Sequence, residues 1–192
     1  MSHFFAMMSR MKYINRWGLM RNTVRENISE HSLEVSMIAH ALAVIKNKRL
    51  GGNLNAERAA LIGIYHDSSE ILTGDLPTPV KYFNPEIKDA YKRVEAVAQE
   101  KLLNYLPDDL AEEYRGLFIP EENDTELRRV VKAADKLSAL IKCIEEIKAG
   151  NREFVKAEEA QRLSIAGMGM PEADIFMNEF LPSYSLTLDE QD

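Results

Sequence analysis

The chain lacks the features that would place it outside the cell or inside a membrane. It has one cysteine in 192 residues, Cys143. A single thiol excludes an intrachain disulfide and any zinc site built from several cysteines, and it fits a reducing cytoplasm. No apolar run reaches the ~18 residues of a membrane span. The apolar start, Met1 to Met8, is short, and Arg10 and Lys12 follow it rather than precede it, the wrong order for a secretory signal. Positive charge is in deficit, with 24 Lys and Arg against 31 Asp and Glu. The net charge of -7 argues against nonspecific binding to a nucleic-acid polymer and leaves room only for a local basic pocket. Convincing strand-type alternation, internal repeats and low-complexity stretches are missing too. The expectation is a cytosolic protein with no membrane or polymer partner.

The composition, 45% hydrophobic and 29% charged, is that of an ordinary globular chain. Its length fits one domain, 1–192, with a substantial core. Phe4, Met7, Met8 and Met11 follow helical spacing. An irregular basic and aromatic patch, Asn15 to Arg21, follows and holds the only tryptophan, Trp17. Asn27-Ile28-Ser29-Glu30 reads as a capping box. The helix it opens carries His31, Val35, Ile38, Leu42 and Ile45 in one stripe and Leu33, Met37, Ala41 and Val44 in another, which predicts a central helix covered on both sides. Asn55 caps the next helix, expected to run unbroken through Tyr65-His66-Asp67 to near Gly74. Pro77 and Pro79 are expected to keep the following loop out of helix. Asn84-Pro85 opens a helix with Ile87, Ala90, Tyr91, Val94, Val97 and Leu102 at core spacing. A short helix and an acidic loop occupy 107–123. A long helix from Asp124 or Thr125 to Gly150 follows, with Leu127, Val131, Ala134, Ser138 and Ile141 on one face. Helices over about 152–165 and from Pro171 to Pro182 complete an all-α chain of six to eight helices.

Three polar groups occupy positions where apolar residues belong. His31 begins the stripe of its helix, His66-Asp67 sits in an apolar segment with Glu70 a turn later, and Asp135 lies between Ala134 and Leu137. Each has a bland explanation: a core histidine satisfied by a hydrogen bond, or an aspartate paired with a lysine. Lys132 and Lys136 flank Asp135 at positions read as not facing it. Taken together, two imidazoles and two carboxylates on three helices suit one divalent metal with room for water or substrate. His3 and His40 lack partners in the pattern, and Cys143 reads as core.

The order His31…His66-Asp67…Asp135 resembles that of the HD-domain metal-dependent phosphohydrolases. The chain is most similar to the bacterial 5′-deoxynucleotidases of that superfamily, through Ser2-His3-Phe4-Phe5, Ile14 to Trp17, Leu19 to Asn22 and Glu26 to Leu33. The similarity continues in Tyr65-His66-Asp67 with Glu70, Leu72 to Asn84, Lys132 to Asp135 and Pro182-Ser183. The resemblance implies an HD-domain helical bundle in which His31, His66, Asp67 and Asp135 hold one divalent ion, cobalt, manganese or a similar transition metal. It implies Arg16 as the phosphate-orienting residue, Trp17 at the sugar, and Asp75, Leu76, Pro77 and Thr78 around the nucleoside, with His31, Asp67 and Asp135 also facing the substrate. It favours a homodimer, for which the last helices offer a surface.

The implied reaction releases phosphate from a 2′-deoxyribonucleoside 5′-monophosphate. Arginine forks onto phosphate oxygens in paired charge-assisted bonds, and an indole packed at the 2′ position excludes a hydroxyl. Read without the resemblance, Trp17 is a core anchor and Asp75 a turn-former. Glu70 is a candidate general acid/base or a group that orients His66, and Asp67 competes with it for activating water. Two other functions stay open at this point. One is an HD phosphohydrolase acting on a nucleoside triphosphate or cyclic nucleotide; the other is a non-enzymatic nucleotide-binding HD module.

Overall fold

Asn27 caps the second helix as its sequence predicts. Its Oδ1 accepts from the Ser29 and Glu30 amides at 3.0 and 3.2 Å, and Glu30 returns a bond to the Asn27 amide. A cap of this kind is worth about 1 kcal/mol. The computed structural model describes residues 1–81 and 83–191, so Tyr82, within the Leu72–Asn84 block, lies outside it. The α-helices among these residues are α1 Phe4–Met8, α2 Ile28–Arg49, α3 Ala56–Tyr65, α4 Glu70–Thr73, α5 Thr78–Lys81, α6 Pro85–Leu103, α7 Asp108–Phe118, α8 Thr125–Lys148, α9 Val155–Ala166 and α10 Pro171–Glu179. Short 3₁₀ turns join several of them, and no strand occurs among the described residues. Ten α-helices thus stand among the described residues against the six to eight expected; the excess is α1, α4 and α5, each of five residues or fewer, while the other seven reach nine or more. The fold is all-α, as the sequence predicts.

The centre is a stack of α3, α2 and α8, with α9 laid on α8 and α10 on α2. Leu42, Ile62, Val130, Leu137 and Leu140 are fully buried where these helices meet. Gly63 lets α3 approach α2 closely, because a Cβ there would stand 2.9 Å from the Ser36 Cα. That contact brings the C-terminal end of α3 alongside the N-terminal turns of α2. A smaller cluster of Met11, Ile28 and Ile71 lies beneath the junction.

Four further expectations need correcting. The α2 stripe from His31 to Ile45 is buried, but Leu33 and Met37 are each 58% exposed, so the helix is covered on one side only. In α6, Val94 and Val97 are also exposed; only Ala98, Leu102 and Leu103 are buried, because that helix meets the core by its last turns. The helix through His66 does not run unbroken. It tightens after Tyr65 into i+3 bonds, from the Ser68 amide to the Tyr65 carbonyl and from the Glu70 amide to the Asp67 carbonyl. The Ser68 hydroxyl also donates to the Tyr65 carbonyl at 2.6 Å, competing for the helical acceptor. Finally, Pro79 falls in the first turn of α5, where its missing N–H costs nothing.

Candidate metal centre and active site

Each candidate side chain is delivered by a different piece of local structure. His31 projects from the first turns of α2, His66 and Asp67 from the tightened turn after α3, and Asp135 from the middle of α8. Ligand atoms of His31, His66 and Asp67 lie within 4.8 Å of one another. Asp135 adjoins them through His31, with its Oδ1 3.3 Å from His31 Nε2. Asp67 Oδ2 is 3.1 Å from His66 Nε2 and 3.5 Å from His31 Nε2. Both Nε2 atoms are buried without a hydrogen-bond partner.

The other ring nitrogens explain how those atoms are aimed. His66 Nδ1 lies 2.7 Å from the Gly63 carbonyl, which can only accept, so Nδ1 carries a proton. His31 Nδ1 lies 2.9 Å from Ser138 Oγ, and that hydroxyl donates to Glu34 at 2.5 Å. Its hydrogen is thereby committed, and its oxygen accepts from Nδ1–H. With Nδ1 carrying a proton on each ring, both Nε2 atoms face the same point, and it is through Nε2 in its neutral form that each ring would ligate a metal. Buried nitrogens without partners beside two carboxylates fit a divalent cation.

The carboxylates divide by environment. Burial opposes the charge on Asp67 and Asp135, but His66 and His31 beside Asp67, and His31 and Lys132 beside Asp135, hold both well below the usual carboxylate range. Lys132 Nζ reaches Asp135 Oδ2 at 2.6 Å, which corrects the reading that it does not face Asp135; three residues apart on a helix, the two share a face. Glu70 goes the other way. Burial, with the charges of Asp67 and Asp75, pushes its carboxyl up to about 10.

A cavity of ≈ 400 Å³ opens beside this cluster, and Arg16, Trp17, Asp75, Pro77, Thr78 and Asp135 line it. Leu76 does not. Arg16 is placed by a single antiparallel bridge between Asn15 and Asn27, through which its amide donates to the Glu26 carbonyl at 2.9 Å. Burial works against the Arg16 charge, yet Glu26, Asp135, Asp67 and Asp75 more than offset it and raise its pKa. Trp17 holds a left-handed backbone, φ 60°, that a bulky residue seldom adopts. Its amide donates to Asp75 Oδ2 at 3.2 Å and its ring packs on Phe154 at 5.3 Å. Sequence reasoning missed the opposite wall, where Lys136, Ala157 and Gln161 of α8 and α9 face the cavity. It also assigned no role to Glu26, Glu34 or Ser138. A signal for Glu26 existed: it is the only acid in the first 29 residues.

Comparison with known proteins agrees with this geometry. A family model described as 5′-deoxynucleotidase YfbR-like matches residues 3–184. A 5′-deoxynucleotidase of Vibrio vulnificus (strain YJ016) is 53% identical over 189 residues, 98% of this chain and 97% of its own. One from Yersinia pestis (strain Pestoides F) is 54% identical over 190 residues, 99% and 96% of the two chains. Among solved structures, an HD-domain phosphohydrolase from Listeria innocua superposes with a TM-score of 0.79 at 24% identity, covering 95% of this chain and 88% of that one. The HD phosphohydrolase of cyanophage S-2L, bound to dA and one catalytic Zn2+ ion, gives 0.60 at 20% identity over 93% and 96%. At those identities the two structures establish the fold alone.

Proposed function

The chain belongs to the YfbR-like 5′-deoxynucleotidase family, and we propose that it is a metal-dependent phosphomonoesterase that hydrolyses 2′-deoxyribonucleoside 5′-monophosphates to deoxyribonucleoside and phosphate. The observation that carries this is the convergence of two partnerless imidazole nitrogens and two ionised carboxylates on one cluster, with Asp135 at the wall of a cavity that Arg16 also lines. We assign His31, His66, Asp67 and Asp135 as ligands of one divalent ion, a transition metal such as cobalt or manganese. Such an ion, when bound, supplies Lewis acidity that neutralises phosphate charge and lowers the pKa of water.

The residues of the chain do the rest. Arg16 grips two phosphate oxygens and holds the phosphorus in line for attack, positioning being the larger part of phosphoryl-transfer catalysis. As the water oxygen bonds to phosphorus, Asp67 takes its proton. The P–O5′ bond breaks, and O5′ leaves with the proton that Glu70 carries at neutral pH. Asp75 commits Oδ2 to the Trp17 amide and keeps Oδ1 for the 3′-hydroxyl. Trp17 faces the 2′ carbon, where an added hydroxyl meets the indole, while Pro77 and Thr78 wall the nucleoside.

The lone thiol, Cys143, is buried, in keeping with a reducing cytoplasm as the working compartment. We also assign a homodimer. Leu163 and Phe180 of the last helices stay exposed, and so do Leu33 and Met37, which lie four residues apart on α2 and offer the apolar stripe that we assign to the interface. The activity is tested by phosphate release from paired ribo- and deoxyribonucleoside 5′-monophosphates. A preference for the deoxy member, up to roughly 10²-fold, is expected; equal rates would remove the sugar assignment.

A further inference from the structure

The site contains a group outside the ligand set and off the cavity wall that holds two residues facing the cavity; its other oxygen, Oε1, lies 3.9 Å from His31 Nδ1, beyond hydrogen-bond reach. Glu26 Oε2 accepts from Arg16 Nη1 at 2.7 Å and from Trp17 Nε1 at 2.9 Å, so one oxygen atom ties together two consecutive side chains. The carboxylate and the guanidinium are both largely out of solvent, at 13% and 12% exposure. Charge-assisted bonds in such surroundings are short and directional. The backbone repeats the connection, since the Arg16 amide donates to the Glu26 carbonyl.

We propose that Glu26 is a positioning residue that makes the phosphate grip and the 2′ test a single rigid unit. The inference rests on the roles given above to Arg16 and Trp17. Two consecutive side chains normally diverge, and on a left-handed backbone the Trp17 ring has no helix or strand to orient it. Every polar group of Trp17 is engaged: its amide by Asp75, its carbonyl by the Met20 amide and Asn22, and its indole N–H by Glu26. Of these bonds only the last fixes the ring. Phe154 supplies a surface for the indole but no direction within it. Without Glu26 the ring slides on Phe154, and Arg16 loses the anion that sets its plane. Selectivity for the sugar and affinity for the phosphate then fall together.

Trp17 is the only tryptophan, so its fluorescence reports on this ring alone. The experiment compares wild type, Glu26→Gln and Glu26→Ala in two measurements: acrylamide quenching without substrate, and the deoxy-to-ribo ratio of kcat/KM. The alanine variant is expected to show stronger quenching and a red-shifted emission. Its kcat/KM on the deoxyribonucleotide should fall about 10–10²-fold, the size of a misplacement near 1 Å, and its sugar ratio should fall toward one. Glutamine, which keeps an acceptor but not the charge, should lie between, and it carries the test if alanine fails to fold. Unchanged quenching with an unchanged ratio would overturn the proposal. So would a change in one without the other, since one oxygen serves both. If the wild-type protein hydrolyses neither nucleotide, the parent reading fails, and quenching alone decides the positioning role.

Discussion

Glu70 is surrounded by groups that oppose its ionisation, and this has a consequence for the fold as well as for the chemistry. Its carboxyl is raised from an ordinary 4.5 to about 10, by burial first and then by Asp67 and Asp75. The native state therefore keeps a proton that the unfolded chain gives up. The resulting stability is fully present below pH ~4.5 and is lost as pH rises toward 10, at up to about 1.4 kcal/mol per pH unit inside that window. Thermal unfolding of the metal-free protein should show Tm falling between pH 5 and 9, with a flatter profile in Glu70→Gln; identical slopes would contradict the assignment. Single residues were legible in the sequence where they broke a pattern. His31 and Asp135 stood out as polar groups on apolar faces. Glu34, an acid within α2, did not, and Glu26 stood out only as the lone acid before residue 30, since an acid just ahead of a helix N-terminus is what the helix dipole favours anyway.

Helices were legible where local chemistry alone decides them. The capping box at Asn27, the Asn84-Pro85 start and the long α8 all follow from their own residues. The break after Tyr65 was hidden, since it comes from a serine hydroxyl taking a helical carbonyl within an otherwise periodic run. That break turns His66 and Asp67 toward α2, and Gly63 sets how near α2 can come. Gly63→Ala should gain up to about 1 kcal/mol of helix propensity but lose about 1–3 to overpacking against the Ser36 backbone. The variant should be less stable and bind metal more weakly, because His31 and His66 ride on the two helices being forced apart. Calorimetry with and without metal reads both effects, and a stabilised variant with unchanged affinity would show that the α2–α3 approach does not set the site.

Periodicity tells which residues share a face but not whether anything covers that face, so the second stripe of α2 and much of α6 were misread as core. The whole chain leaves Leu33 and Met37 exposed together on its central helix. Met37→Glu should convert a dimer to a monomer by light scattering while leaving the helical content intact; a dimer of unchanged stability would move the interface elsewhere. The three helical segments around the cluster, α2, the turn after α3, and α8, meet only in the folded chain, and the account stands on their holding one metal in common. The measurement that tests this most directly follows phosphate release from dAMP by metal-stripped protein as a divalent metal is restored, in wild type and in Asp135→Asn, with bound metal quantified in both. Activity should be absent without metal and return in proportion to occupancy in the wild type, whereas Asp135→Asn should stay folded, bind metal poorly and release almost no phosphate. Full turnover by the stripped protein, or by Asp135→Asn, would contradict the account.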